Sequence, residues 1–275
     1  MGLLSFLKSL NPNLNKSSKL DAGEITINST GQKIAMPVDM LWAFKDGEYY
    51  ERNVTFYMDR LFKKYNNPVF FDIGANYGYY SVKYAHCCNH VFSFEPVSKT
   101  HEVLVSNIRR NALKNVTVFK FGLSNKEQEL NINLYSSSGN NSIFERNIPK
   151  EHSLKKIGQE RIHLYSLDSL FTSQKISGPD IIKIDVEGAE LNVLEGSLET
   201  IKKFSPAIVI EYSETTSLDA GYPKEALLNK LRFPSYTVWG IPDDPNDFRL
   251  VPENDFNSEK ISNLLILPSN IDLLT

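Results

Sequence analysis

The chain has little cysteine, no excess of charge of either sign and no long apolar run, and each shortage narrows what it does. Of its 275 residues only Cys87 and Cys88 are cysteines. Chain neighbours make neither an ordinary structural bridge nor a zinc cage, so a reducing, cytoplasmic setting is expected. Thirty basic and 33 acidic residues are interspersed and leave a formal charge of -3. That provides no basic footprint for nucleic acid and no acidic tail. No run approaches the roughly 18 apolar residues of a membrane span. The opening MGLLSFLKSL lacks an apolar stretch followed by a small-residue cleavage site, so no secretory signal is read. The sequons at Asn28, Asn53 and Asn115 are accordingly expected to stay unmodified. Phe6 stands where a myristoylation signal needs Ser or Thr.

What is present reads as one large domain behind an N-terminal extension. Leu3, Leu4, Phe6, Leu7 and Leu10 suit a short amphipathic helix, packed on the domain or making membrane-surface or partner contact, or else a flexible, partly disordered leader. Residues 1–22 are thus a leader that ends in an Asn-, Ser- and Lys-rich linker. Residues 23–66 carry short strand-like pieces, an aromatic segment and a partly helical pattern, and are expected to form an accessory segment on the core.

The chain is organised around residues 69–85, VFFDIGANYGYYSVKYA. Val69, Phe70, Phe71 and Ile73 form the apolar run of a parallel strand buried on both faces. Asp72 interrupts it, and a carboxylate there is costly unless a partner or ligand engages it. Gly74 and Gly78 permit a tight turn and close backbone approach before a helix begins. A second short strand, HVFSFEP, delivers Glu95 23 residues after Asp72. That is the spacing at which a strand-helix-strand unit presents a carboxylate to a ribose diol. The third strand, NVTVFKFGLS, leaves only backbone and Ser124 for an adenine contact.

A second acidic turn follows in PDIIKIDVEGAELNVLEG. Ile181, Ile182 and Ile184 predict a buried strand ending at Asp185, and Leu191, Leu194, Leu198 and Ile201 mark one helical face. Strand ends of an open parallel sheet share one crevice, so Asp185 and Glu187 are expected beside the reacting groups, with Glu190 either there or at the positive end of its helix. PAIVIEYSE adds a strand ending at Glu211. YTVWGIP and NLLILP read as closing strands. Residues 125–165 form a polar excursion, either functional or disordered. Tyr77, Tyr79, Tyr80 and Tyr84 suit core or a sugar site, and the scattered histidines suggest no metal triad.

FDIGANYGYYS, FEP, SLDSL, IKIDVEGAELNVLEG and IVIEYSE, in this order, resemble the FkbM family of S-adenosylmethionine-dependent methyltransferases over residues 69–214. The resemblance implies an α/β, Rossmann-like, seven-stranded and mostly parallel sheet with helices on both faces, spanning residues 67–275. It also implies O-methylation of a hydroxyl on a sugar, glycan precursor or related natural product. Asp72, Gly74, Asn76 and Gly78 would then surround the amino-acid and ribose end of S-adenosyl-L-methionine, with Glu95 on the ribose. Methyl transfer mainly needs alignment, and a carboxylate can take the hydroxyl proton. Asp185 is the first candidate base, with Glu187 and Glu211 next. The same carboxylates would alternatively bind a divalent cation. Three rival readings are weighed: a nicotinamide-dependent oxidoreductase, whose Gly-x-Gly-x-x-Gly turn this sequence lacks, a non-catalytic binding subunit, and a protein-modifying member of the same fold.

Overall fold

The computed structural model describes residues 22–44, 50–149, 153–173 and 177–273. The expectations for the first 21 residues and for His152 lie outside them. The described chain opens on an antiparallel hairpin of β1 (Ala22–Thr26) and β2 (Lys33–Pro37), a 3-10 turn (Val38–Phe44) and helix α1 (Arg52–Lys64). The alternating units follow as β3 (Val69–Ile73), α2 (Tyr79–Tyr84), β4 (His90–Phe94), α3 (Ser98–Arg110) and β5 (Val116–Phe119). Three further strands, β6 (Gly122–Leu123), β7 (Gln128–Tyr135) and β8 (Lys156–Tyr165), come before helix α4 (Leu167–Ser173). The chain then runs β9 (Ile181–Ile184), α5 (Glu190–Glu195), α6 (Leu198–Phe204), β10 (Ala207–Glu211), α7 (Glu214–Asp219) and α8 (Glu225–Leu231). It closes on β11 (Tyr236–Pro242), β12 (Val251–Pro252) and β13 (Ile261–Pro268).

The main sheet has the order β12-β11-β13-β10-β9-β3-β4-β5. Strands β10, β9, β3, β4 and β5 are parallel, and β13, β11 and β12 are antiparallel. The seven expected strands are present, and the two-residue β12 adds an eighth at the edge. Every residue of β3 and β9 is buried, because side chains alternate between two helix-covered faces. Phe70, Ile181 and Val209 pack with α1, α2 and α3, whereas Phe71, Ile182 and Ile208 pack with α4, α5, α6 and α8.

The polar excursion is largely a second sheet, of order β6-β8-β7. Ile132, Ile162 and Leu164 form a small apolar core with Val97, so burial of alternate residues orders a segment whose composition suggested a loop. The expected third strand also divides: β5 ends at Phe119, and Gly122 and Leu123 leave the main sheet to pair with β8. A Cβ at Gly122 would lie 2.6 Å from Leu164 Cδ2.

The N-terminal hairpin is held by two side-chain amides one turn apart, Asn107 on α3 and Asn111 at its C-terminal cap. Asn107 accepts from Ala35 N–H at 2.8 Å and donates to the Ala35 and Tyr77 carbonyls at 2.9 and 2.8 Å. Asn111 accepts from Lys33 N–H and donates to the Lys33 carbonyl. A fully buried amide with all three bonds made is expensive to remove, because its backbone partners are left dry and unpaired. Asn107→Ala is therefore expected to lower unfolding stability by about 2–4 kcal/mol in urea titration. A loss within experimental error would show that the hairpin is held by packing alone.

Candidate active site

The two strand-end turns expected from the sequence meet backbone to backbone. Gly74 has φ +82°, and a Cβ there would fall 1.8 Å from the carbonyl oxygen of Asp185. Only glycine lets the turn after β3 lie against the turn after β9. The Gly74 and Ala75 N–H groups donate to the Phe94 carbonyl at 3.0 and 3.1 Å, tying the turn to β4. Asn76 takes φ +50°, a left-handed conformation its short polar side chain tolerates. Its N–H then reaches Glu95 Oε2 at 3.0 Å, while Val97 N–H reaches Oε1 at 2.9 Å. Glu95 is buried, and that burial pushes its carboxyl up to about 7 against these two hydrogen bonds. Each of its oxygens keeps capacity to accept a further donor.

Across β4, β3 and β9 runs a buried polar row of Ser93, Asp72 and Lys183. Ser81 on α2 donates to Asp72 and shares a 2.7 Å hydrogen bond with Ser93. Burial raises the Asp72 carboxyl above its ordinary range. Lys183 is buried, and its ammonium lies 2.7 Å from Asp185 Oδ2, 4.0 Å from Glu51 Oε2 and 4.7 Å over the Tyr80 ring. Burial alone would favour the neutral amine. The Asp185 and Glu51 carboxylates outweigh it and raise the ammonium above the ordinary lysine range. Glu51 also accepts from the Tyr80 hydroxyl at 2.9 Å, and burial, countered by Lys183, leaves its carboxyl raised.

Beyond Asp185 the chain turns through Glu187 at φ +56° and Gly188 at φ +105°. Glu190 is buried and accepts from Val186 N–H and Gly188 N–H, both at 3.0 Å. It braces the turn from below, so of its two expected roles the structure gives it the local one. Arg146, whose side chain is 6% exposed, pairs with Glu187 and lies 3.8 Å from Asp219. Burial, reinforced by the Asp185 carboxylate, pushes Glu187 up to about 8 despite that guanidinium. Ser142 Oγ donates to the Glu187 carbonyl at 2.7 Å.

These turns line a cleft of about 1140 Å³, part of it open to solvent. Asp72, Gly74, Asn76, Glu95, Asp185 and Glu187 all line it. Gly78 and Ser124 do not. A Cβ at Gly78 would lie 2.3 Å from Leu104 Cδ1, which makes this glycine a helix-packing position. Ser124 is buried, its Oγ accepts from Gln128, and Gly122 and Leu123 face the cleft instead. Glu211 also stands off the lining. Its Oε2 is buried without a hydrogen-bond partner, and burial, followed by the Glu187 and Glu190 carboxylates, raises its carboxyl well above the ordinary range. The excursion supplies a wall through Ser138, Gly139 and Asn141, with Ser138 Oγ donating to Asn76 Oδ1 at 3.2 Å. Met36, Met40, Phe44 and Tyr50 of the N-terminal segment close another side, with the Phe44 and Tyr50 rings packed against Tyr79 and the Tyr50 ring against Tyr80.

Sequence reading missed Lys183, Glu51 and Arg146. A lysine inside the apolar run IIKID was a usable signal, because an unpaired ammonium is not buried in a sheet. Glu51 and Arg146 carried none, since their partners lie far along the chain. Among the described residues no group of three or more His, Cys, Asp or Glu is arranged to hold a metal ion, and none of the described helices is long and apolar enough to cross a membrane. His86, His90, His101 and His163 all lie off the cleft lining.

The model of the Methyltransferase FkbM domain matches residues 72–233. Hexuronic acid methyltransferase AglP of Haloferax volcanii is 29% identical over 143 residues, covering 52% of this chain and 55% of that protein. The methyltransferase sdnD of Sordaria araneosa is 28% identical over 181 residues, covering 56% of this chain and 69% of that one. The crystal structure of an FkbM methyltransferase from Methylobacillus flagellatus superposes with a TM-score of 0.49 at 17% identity, over 73% of this chain and 44% of that chain. The match to the first relative thus spans little more than half of its length. The family model and both of these relatives are methyltransferases. With more than half of its length matched by the family model, the chain belongs to the FkbM methyltransferase family, whose methyl donor is S-adenosyl-L-methionine.

Proposed function

We propose that the protein methylates a hydroxyl oxygen on a sugar, glycan precursor or related natural product. The observation that carries this reading is the meeting of two acidic strand-end turns, Asp72 to Glu95 on one side and Asp185 to Glu187 on the other, over one partly apolar cleft. The donor set suits S-adenosyl-L-methionine. Glu95 keeps acceptor capacity for a ribose diol, the turn of residues 74–78 brings backbone close to a ligand, and four lining carboxyls suit a sulfonium cation. When bound, that group supplies an electrophilic methyl carbon on positively charged sulfur.

The rest falls to this chain's own side chains. Glu95 would hold the ribose, and Asp72, Gly74 and Asn76 the neighbouring part of the donor. Asp185, 21% exposed and on the lining, would take the acceptor's proton. Lys183 fixes its carboxylate at 2.7 Å, and Glu51 keeps the lysine paired while Asp185 is protonated. Glu187, anchored by Arg146, would orient the acceptor. Tyr50 and Tyr79, with ring centroids 5.9 Å apart, offer an apolar surface for the carbon face of a sugar ring.

Two outcomes are expected. Glu95 carries its proton below about pH 7 and is a carboxylate above it, and only the carboxylate accepts two hydroxyls at once. S-adenosylmethionine should therefore bind more tightly at pH 8 than at pH 6 in titration calorimetry. Glu95→Gln should weaken binding by roughly 10- to 100-fold and flatten the dependence. Equal affinity at both pH values in both proteins would remove Glu95 from the ribose. Asp185→Asn should keep donor affinity within about threefold while losing roughly 10²- to 10⁴-fold in kcat. This is read with labelled methyl donor against a panel of nucleotide sugars, oligosaccharides and cell extract, and unchanged turnover would place the base elsewhere.

A further inference from the structure

Among the described residues the cleft lining carries no unpaired side-chain cation. Among the described residues Lys183 is the only lysine or arginine on its lining, and that ammonium is already engaged by Asp185, Glu51 and the Tyr80 ring. Arg146 stands just behind Glu187, deeply buried, with Glu187 on one side and Asp219 on the other. Four carboxyl groups, Asp72, Glu95, Asp185 and Glu187, share the same lining. Glu51, Glu190 and Glu211 lie off the lining but close enough for the neighbouring carboxylates to act on their titration. At about pH 8 and above, where Glu95 and much of Glu187 have lost their protons, the local potential is negative.

We propose that the sugar ring admitted to this cleft carries no anionic substituent: it is an uncharged or amine-bearing pyranoside rather than a uronate, sulfated or phosphorylated ring. The inference rests on the sugar O-methylation reading above. A ring carboxylate entering beside Asp185 and Glu187 loses water and finds, among the described residues, no side-chain cation that is not already paired. A neutral ring meets no such penalty, and its apolar carbon face suits Tyr50 and Tyr79. An ammonium substituent would gain a partner in Glu187, whose side chain is 22% exposed. Discrimination of this kind comes from repulsion built against the wrong partner rather than from extra contacts to the right one.

The test uses the full chain and begins with calorimetric binding of S-adenosylmethionine. Transfer of labelled methyl is then followed at pH 8 to methyl β-D-glucopyranoside, methyl β-D-glucosaminide and methyl β-D-glucuronide. The neutral and amino rings are expected to exceed the glucuronide at least about 10-fold in kcat/KM, the ratio that one unpaired buried charge readily supplies. Asp219→Asn removes one of the two carboxylates on Arg146. It should raise the glucuronide rate several-fold and leave the neutral ring within about twofold. If none of the rings is methylated, saturation-transfer NMR with S-adenosylhomocysteine bound measures the same preference as binding. A glucuronide that is methylated or bound as well as the neutral ring overturns the proposal, as does failure of all three rings to bind. Absence of donor binding sinks the methyl-transfer reading and this proposal with it, whereas donor binding with preference for the glucuronide sinks this proposal alone.

Discussion

The ammonium of Lys183 is the charge on which the cleft is balanced. It sits in the middle of the main sheet, where an unpaired cation would be very costly, and its surroundings answer that cost from three elements. Asp185 approaches from the turn after its own strand, Glu51 from the start of α1, and the Tyr80 ring from α2. Asp72 lies beside it in register on β3. Removal of the lysine would leave buried Asp72 and half-buried Asp185 and Glu51 near one another without the cation between them. Its presence makes a dense acidic site compatible with a folded sheet.

The second constraint is steric. The turns after β3 and β9 touch so closely that Gly74 has no room for a Cβ against Asp185 O. That contact brings the donor-side carboxyls and the acceptor-side carboxyls into one cleft. Two other segments then wall it. The N-terminal hairpin is fixed to α3 by Asn107 and Asn111 and contributes Met36 from its second strand. The connection between β7 and β8 of the small sheet contributes Ser138, Gly139 and Asn141, and Ser142 and Arg146 lock it to the Glu187 turn.

Local patterns made much of this legible. Apolar runs that end in an acidic residue before a glycine turn marked β3 and β9, and the distance from Asp72 to Glu95 marked the strand between them. Polar composition misled over residues 125–165, because the buried apolar residues of β7 and β8 are few and set among polar or exposed neighbours. Ser124 and Glu211 were reasonable from their place near strand ends. In the fold, however, β6 swings away into the second sheet, and Glu211 sits beneath the lining, opposite Asn263 of β13.

By itself the sequence determined the alternating strands and helices of the main sheet, the glycine turn, and the carboxyls that stand at strand ends. These depend on residues close together in the chain, whose hydrophobic period and backbone preferences act locally. Only the tertiary structure decided which carboxyls face the cleft, that Glu51 shares a lysine with Asp185, and that Arg146 anchors Glu187 from 41 residues away. Those outcomes are matters of distance and burial between remote segments. Electrostatic energy in a dry interior depends on which charges meet there, and no local pattern encodes that meeting.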